Sequence, residues 1–191
     1  MNNQIKKLKE VTHIIMGQSP SSNSYNILGN GLPFFQGKTE FGEVSPTAVK
    51  WCTSPKKIAL PGDILISVRA PVGPTNLANV ECCIGRGLAA IRAIPEKIDR
   101  NFLWLQLRHL ESFLVSKGQG STFHAINADE LKDLKLFVPD DIKLQVKIAN
   151  QIEEQLAELH KSRKSLELLI SEINILPKKI LSEAFKEVEN G

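Results

Sequence analysis

Between Ile142 and Leu176 the apolar residues recur at alternating steps of three and four. Ala149, Ile152, Leu156, Leu159, Leu166, Ile170 and Ile173 fall on one seam, with Arg163 at the core position between Leu159 and Leu166. That spacing predicts a helix built to lie along another helix. No Gly or Pro interrupts it before Pro177. At a rise of 1.5 Å per residue, some 35 residues span about 50 Å, more than the width of a domain of roughly 140 residues. The plainer alternative is a core helix of a bundle, although such helices average about three turns. Before Arg163 the flanking positions are polar (Glu153, Gln155, His160, Ser162). After it Leu169 and Leu176 flank the seam, and Leu168 and Ile175 fall on the face expected to meet water. A two-stranded coil needs only the narrow seam, so this half is expected to meet a second partner.

The rest of the chain changes period repeatedly. Val11 to Met16 reads as a first strand, closed by Gly17 and the turn-rich SPSSNSYN. Residues 29–42, GNGLPFFQGKTEFG, read as a short strand with exposed loops, Phe34 and Phe35 being core rather than base-stacking residues. PGDILISV (61–68) is the clearest strand and ends in the stiff loop RAPVGP. ECCIG and LAAIRAI supply two more strands on either side of Arg86-Gly87, which places Arg69 and Arg86 at the ends of neighbouring strands. Asp99 caps a helix from Arg100 to Val115, with Leu103, Leu107, Leu110 and Leu114 on one face, ending around Lys117-Gly118-Gln119-Gly120. Asn127 with Glu130 forms a capping box for one short helical turn. Leu134 to Val138 is a last strand, and Pro139-Asp140-Asp141 caps the long helix. Pro177 is suited to open a new helix, with Ile180, Leu181, Ala184, Phe185 and Val188 on one face. The fold class is therefore α+β. A compact β-rich domain with a few helices spans 1–140, a long coiled-coil-forming helix 141–176, and an amphipathic tail helix 177–191.

Composition narrows the function by exclusion. With 191 residues, 42% hydrophobic and 24% charged, the chain has the make-up of a soluble globular protein. Residues 1–140 carry 16 Lys/Arg against 12 Asp/Glu, which is +4, and residues 141–191 carry 8 against 9, which is −1, so the excess positive charge lies in the β-rich part. A mildly basic domain fits nucleic acid without requiring it. Cys52, Cys82 and Cys83 are odd in number, two of them adjacent, and offer no disulfide framework or CxxC metal pair. Buried free thiols in a reducing cytosol are expected. The apolar run VTHIIMG is too short for a signal segment or membrane span, so a cytoplasmic location is expected. No Walker A run, GxSxG, HExxH or amino-methyltransferase Asp-Pro-Pro-Tyr motif is present, and His13, His109, His124 and His160 lack ligand spacing, so no metal site is expected. The sequence reads as a binding module.

The order of its motifs resembles half of a DNA specificity subunit of type I restriction–modification systems. The matching pieces are MGQSP (16–20), LPFFQGKTEFG (32–42), WCTSPKKIA (51–59), GDILISVRAPVG (62–73), CCIGRGLAAI (82–91), GSTFHAI (120–126), Gln145 in LQVKI, and ILSEAF (180–185). The resemblance implies a target-recognition domain followed by a conserved-region helix. In that family two such units share one chain and their long helices pack antiparallel; here there is one unit. It also implies a subunit without catalytic activity or a cofactor of its own. It directs a modification methyltransferase subunit, which uses S-adenosylmethionine, and in some assemblies a restriction subunit, which uses ATP, to double-stranded DNA with a split site.

Reading DNA needs donors that reach base edges and cations that hold phosphates, on loops where the backbone approaches closely. The candidates are Gln36, Lys38 and Thr39 in one Gly-rich loop, Arg69 and Arg86 at strand ends, and Lys117, Gln119, Ser121, Thr122 and His124 in a third loop. Alternatively Arg86 is a buried structural cation paired with a carboxylate, Arg69 holds the fold, and Thr122 to Ile126 braces the long helix. The expected dimer interface is the seam Ala149, Ile152, Leu156, Leu159, Arg163, Leu166, Ile170 and Ile173. A twofold antiparallel homodimer along it would bring Arg163 to Glu153, Glu158 or Glu167 of the second copy and read an interrupted palindrome. The competing reading is a helical-dimer adaptor that scaffolds proteins without touching DNA.

Overall fold

The structure is a computed structural model that describes residues 3–119 and 125–189 and divides into two units, Met1–Ala149 and Asn150–Gly191. The first unit opens with β1 (Asn3–Lys7), α1 (Leu8–Val11) and β2 (Thr12–Met16). β3 (Tyr25–Asn26), β4 (Leu32–Phe35), β5 (Trp51–Cys52) and β6 (Ile58–Ala59) are short. β7 (Ile64–Ser67), β8 (Thr75–Leu77), β9 (Cys82–Ile84) and β10 (Leu88–Ala93) follow. Then come α2 (Arg100–Gln119), α3 (Ala128–Lys132), β11 (Lys135–Pro139) and α4 (Ile142–Glu189).

β7 and β10 form the middle of a four-stranded sheet ordered β2-β10-β7-β8. Every residue of β7 is buried, because the strand is covered on both faces. Ile64, Ile66, Ala89 and Ile91 share a core with Phe102, Leu103 and Leu107 of α2. Leu65, Leu88 and Ala90 point the other way, into a core with Phe35, Ala59, Cys82 and Ile84 of a five-stranded sheet ordered β3-β5-β4-β9-β6. The apolar run ILIS is thus uninterrupted because helix covers one face and sheet the other.

Asp63 enters β7 almost completely buried, 2% exposed. Its carboxylate accepts two bonds from the Arg92 guanidinium of β10 at 2.7 and 2.8 Å and one from the Leu60 N–H at 2.8 Å. Nothing in the local sequence pattern singles out this pair. Asp99 caps α2 as expected, accepting from Phe102 N–H at 2.8 Å, and the Asn127–Glu130 capping box opens α3.

The structure departs from the sequence pattern in several elements. β1 is not predicted from sequence because NQIKK has no apolar alternation, and its Ile5 is exposed. The strand is held by full backbone pairing with β11 and by Lys6–Asp140 and Lys7–Asp133. α2 runs past Val115 and ends at Gln119, inside the stop expected at Lys117-Gly118-Gln119-Gly120, since an interior glycine weakens a helix without ending it. The predicted break at Pro177, with a separate tail helix over 177–191, is absent: α4 continues through Pro177 to Glu189. Proline there forfeits one backbone bond, and good helix formers on both sides carry the helix past it.

Asp141 caps α4 through Lys143 N–H at 2.9 Å. The first two turns belong to the first unit and are locked there by Gln145, which is fully buried. Its amide donates to the Pro139 carbonyl at 2.7 Å and the Lys97 carbonyl at 3.4 Å, and accepts from Asp99 N–H at 2.8 Å. Ala149 is also fully buried in the α2-side core, which removes it from the proposed dimer seam. No helix among the described residues is long and apolar enough to cross a membrane.

Candidate nucleic-acid interface

The turn Gly85–Leu88, between β9 and β10, is where three loops meet. It closes with Leu88 N–H donating to the Gly85 carbonyl at 3.0 Å. Gly85 N–H donates to the Phe35 carbonyl at 2.8 Å, which ties in β4. Gln18 N–H donates to Ile84 and Gly17 N–H to Leu88, at 3.0 and 2.9 Å, which ties in the end of β2. Val68 N–H donates to the Gly87 carbonyl at 2.9 Å, which ties in the end of β7. A Cβ at Gly17 would overlap the Gly85 carbonyl, and a Cβ at Gly87 would overlap the Gln36 carbonyl. These glycines are needed for close approach of backbones rather than for an unusual φ.

Arg86 sits on this turn, exposed, with its N–H donating to Ser19 Oγ at 3.3 Å. The buried-cation reading of Arg86 does not hold, and no ion pair among the described residues includes it. That structural role falls to Arg92, whose pKa is raised above its ordinary value by its hydrogen bond to Asp63. Ser19 is not among the residues singled out from sequence, although the Gly17-Gln18-Ser19-Pro20 turn next to a strand is its visible signal. Behind it Tyr25 stacks on Phe34, with centroids 4.7 Å apart and planes at 17°. Burial pushes the Tyr25 phenol upward, reinforced by the Cys52 and Cys83 thiols and opposed by Ser19 and Arg86.

Gln36 is exposed beside the turn, its backbone packed on Gly85 and Gly87. Lys38 and Thr39 lie in the 3-10 turn Lys38–Glu40 that follows, fastened by Gly37 N–H donating to the Glu40 carboxylate at 3.2 Å. Both are exposed. Arg69, also exposed, leaves the end of β7 and makes an isolated bridge with Ala125, while Ile126 N–H donates to the Val68 carbonyl at 2.8 Å. The chain returning from the third loop therefore lands on Arg69. Ser121, Thr122 and His124 lie outside the described residues. Lys117 and Gln119 belong to the last turn of α2, and their side chains are likewise outside the described part. The structure thus brings Gln36, Arg69 and Arg86 to one exposed rim, with Lys38 and Thr39 on the adjoining turn.

The arrangement offers donors and positive charge rather than a nucleophile. The Cys82 thiol is pushed up to about 12 and the Cys83 thiol to about 11, each chiefly by desolvation, so both stay protonated near neutral pH. Among the described residues no group of His, Cys, Asp and Glu is arranged to hold a metal ion.

The profile of the type I restriction modification DNA specificity domain matches residues 2–169. This chain belongs to that family. It is 41% identical over 177 residues to a putative type I restriction enzyme MjaX specificity subunit of Methanocaldococcus jannaschii, covering 93% of this chain and 39% of that protein. The crystal structure of the HsdS subunit from Thermoanaerobacter tengcongensis is similar at 46% identity and a TM-score of 0.74, covering 84% of this chain and 39% of that one. A chain solved in a study of complex assembly and conformational transition of the type I R-M system is 45% identical with a TM-score of 0.79, covering 90% and 43%. The S subunit from M. genitalium, 18% identical with a TM-score of 0.63, shares the fold. The chain spans about two-fifths of the length of these relatives.

Proposed function

We propose that this chain is the sequence-specific DNA-recognition unit of a type I restriction–modification assembly, and that it is itself non-catalytic. The observation that carries the reading is the junction at Gly85–Leu88, which gathers Gln36, Arg69 and Arg86 from separate loops onto one exposed rim in a member of a DNA specificity family. Gln and Arg side chains have the donor geometry for adenine and guanine edges, and the lysines that for phosphates. The chemistry would come from partners: a modification subunit using S-adenosylmethionine, and a restriction subunit where one exists.

The second unit supports an assembly role. Leu159, Leu166, Ile170 and Ile173 of the seam are 56–65% exposed, and Ile152 is 36% exposed. Single-sided burial against another helix would remove this surface from water. A twofold homodimer through the seam from Ile152 to Ile173 is self-complementary and matches a twofold split site. Within one chain Arg163 donates to Glu167 at 2.9 Å, one turn away, so in a dimer this exposed pair would have to be shared or exchanged.

The test is co-expression with a modification subunit, followed by mapping of methylated adenines. A split, palindromic methylated motif that disappears with Arg86→Ala is expected. Methylation at two unrelated half-sites would remove the symmetric dimer. Normal co-purification without any sequence-specific methylation or DNA binding would favour the adaptor reading.

A further inference from the structure

Lys6, Lys7, Lys9, Arg92 and Lys132 each lie within 3.3 Å of an Asp carboxylate. Lys38, Lys56, Lys57, Arg69 and Arg86 are exposed, and no ion pair among the described residues includes any of them. Position rather than pairing distinguishes the cations of the first unit, since Lys50, Lys97, Arg100, Arg108, Lys135, Lys143 and Lys147 are also exposed and in no ion pair among the described residues. Lys56 and Lys57 follow a Ser-Pro pair within the motif WCTSPKKIA and are not among the DNA-contact candidates read from the sequence.

Strand register gives them a place. β6 pairs antiparallel with β9, Ile58 opposite Cys83 and Ala59 opposite Cys82. Ile84 N–H donates to the Lys57 carbonyl at 3.0 Å, which extends the ladder one residue towards Gly85. On its other edge β9 pairs with β4, Phe35 opposite Ile84, and Gly85 N–H continues that ladder to the Phe35 carbonyl. The turn carrying Arg86 is therefore flanked by Gln36 on one side and by residues 56–57 on the other. Concentrating unpaired positive charge along one rim costs self-repulsion in the free protein, and a bound polyanion relieves it. Ammonium groups on flexible stems suit phosphate oxygens as point charges better than they suit base edges.

We infer that Lys56 and Lys57 hold phosphodiester groups in the DNA-bound protein, extending the interface across the turn to the β6 side. The inference rests on the DNA-recognition reading above and adds a second bank to it. These two side chains set affinity and orientation on the duplex and do not choose the sequence.

The experiment is a salt titration of the full chain binding a fluorescein-labelled pool of random-sequence 30-base-pair duplexes, read by anisotropy. Each phosphate that the protein no longer neutralises flattens the slope of log K against log salt by about 0.9. K56A/K57A is expected to flatten it by about 0.9 to 1.8, with an unchanged melting temperature and, when co-expressed with a modification subunit, an unchanged methylated motif. Lys9→Ala, which removes a cation already paired with Asp133, is expected to leave the slope as it is. Wild-type binding with an unaltered slope in K56A/K57A overturns the phosphate role of the two lysines and leaves DNA recognition standing. A changed motif overturns the sequence-independent role. Failure of the wild-type chain to bind duplex DNA with any salt dependence overturns both.

Discussion

In the first unit the large apolar residues of β7, β10 and the inner face of α2 are at most 9% exposed, and each buried side-chain polar atom among the described residues has a hydrogen-bond partner. In the second unit Leu159, Leu166, Leu168, Leu169, Ile170 and Ile173 are 53–65% exposed. The same residue types thus do opposite things. In the β-rich unit, apolar burial and paired polar groups stabilise the fold internally. Beyond Ala149 the helix keeps its backbone bonds but buries little, and an isolated helix draws little stability from propensity alone. The difference teaches that mutations in the two regions should be read by different measurements: unfolding for the first, association for the second.

The sharpest way to break the first region is Asp63→Ala. It strands the Arg92 guanidinium and the Leu60 N–H. Breaking a wholly buried pair costs roughly 3–5 kcal/mol; Arg92 is 37% exposed and keeps some solvation, so about 2–3 kcal/mol is expected in urea unfolding. A loss below about 0.5 kcal/mol would mean that β7 and β10 do not depend on this pair. Next is Gln145→Leu, which keeps side-chain volume but leaves the Pro139 carbonyl and the Asp99 N–H unsatisfied. About 2 kcal/mol is expected, by the same measurement.

Leu168→Glu with Ile175→Glu probes the other side of the comparison. Both residues are about half exposed or more, at 59% and 49%. Unfolding of the first unit should change by less than about 0.5 kcal/mol, while co-purification with a modification subunit weakens. Retained co-purification would show that the helix face bearing Leu168 and Ile175 is not a docking face.

The smallest effect belongs to the ion pairs joining the end of β1 and α1 to the turn before β11. Asp133 lies below its ordinary pKa of 3.8, chiefly through its hydrogen bond to Lys9 and then that to Lys7, and Lys9 lies above its ordinary 10.5 through Asp133. For the depressed carboxylate, stability is present above the unfolded value and is lost as pH falls through the folded one. For the raised lysine, it is present below the unfolded value and is lost as pH rises through the folded one. The pair therefore contributes fully between 3.8 and 10.5. Asp133→Asn should make the decline in melting temperature from pH 5 to pH 2.5 slightly shallower than in wild type. Equal declines would remove the pair from acid sensitivity.

The elements with strong periodicity or cap chemistry were legible from residues alone: β7 from PGDILISV, α2 from its leucines and Asp99, α3 from Asn127 and Glu130, and α4 from the three–four seam. β3, β5 and β6 were not, because two-residue strands carry no period and exist only where a neighbouring backbone meets them. The fate of Pro177 was likewise invisible, since proline both opens and interrupts helices and the flanking turns decide which.

The same division runs through the candidate interface. Gly-punctuated loops carrying Gln, Lys and Arg side chains are local features, visible before any tertiary pairing is known. Which loops meet is a long-range property. Gln36, Lys57, Arg69 and Arg86 are scattered over some fifty positions, and their adjacency depends on β9 lying between β4 and β6 and on β7 pairing with β10. Burial is long-range too: Arg86 and Arg92 are similar as sequence, and only packing makes one an exposed cation on a rim and the other the partner of a buried carboxylate. Periodicity records which face of an element is covered, and tertiary pairing alone supplies the neighbour that covers it.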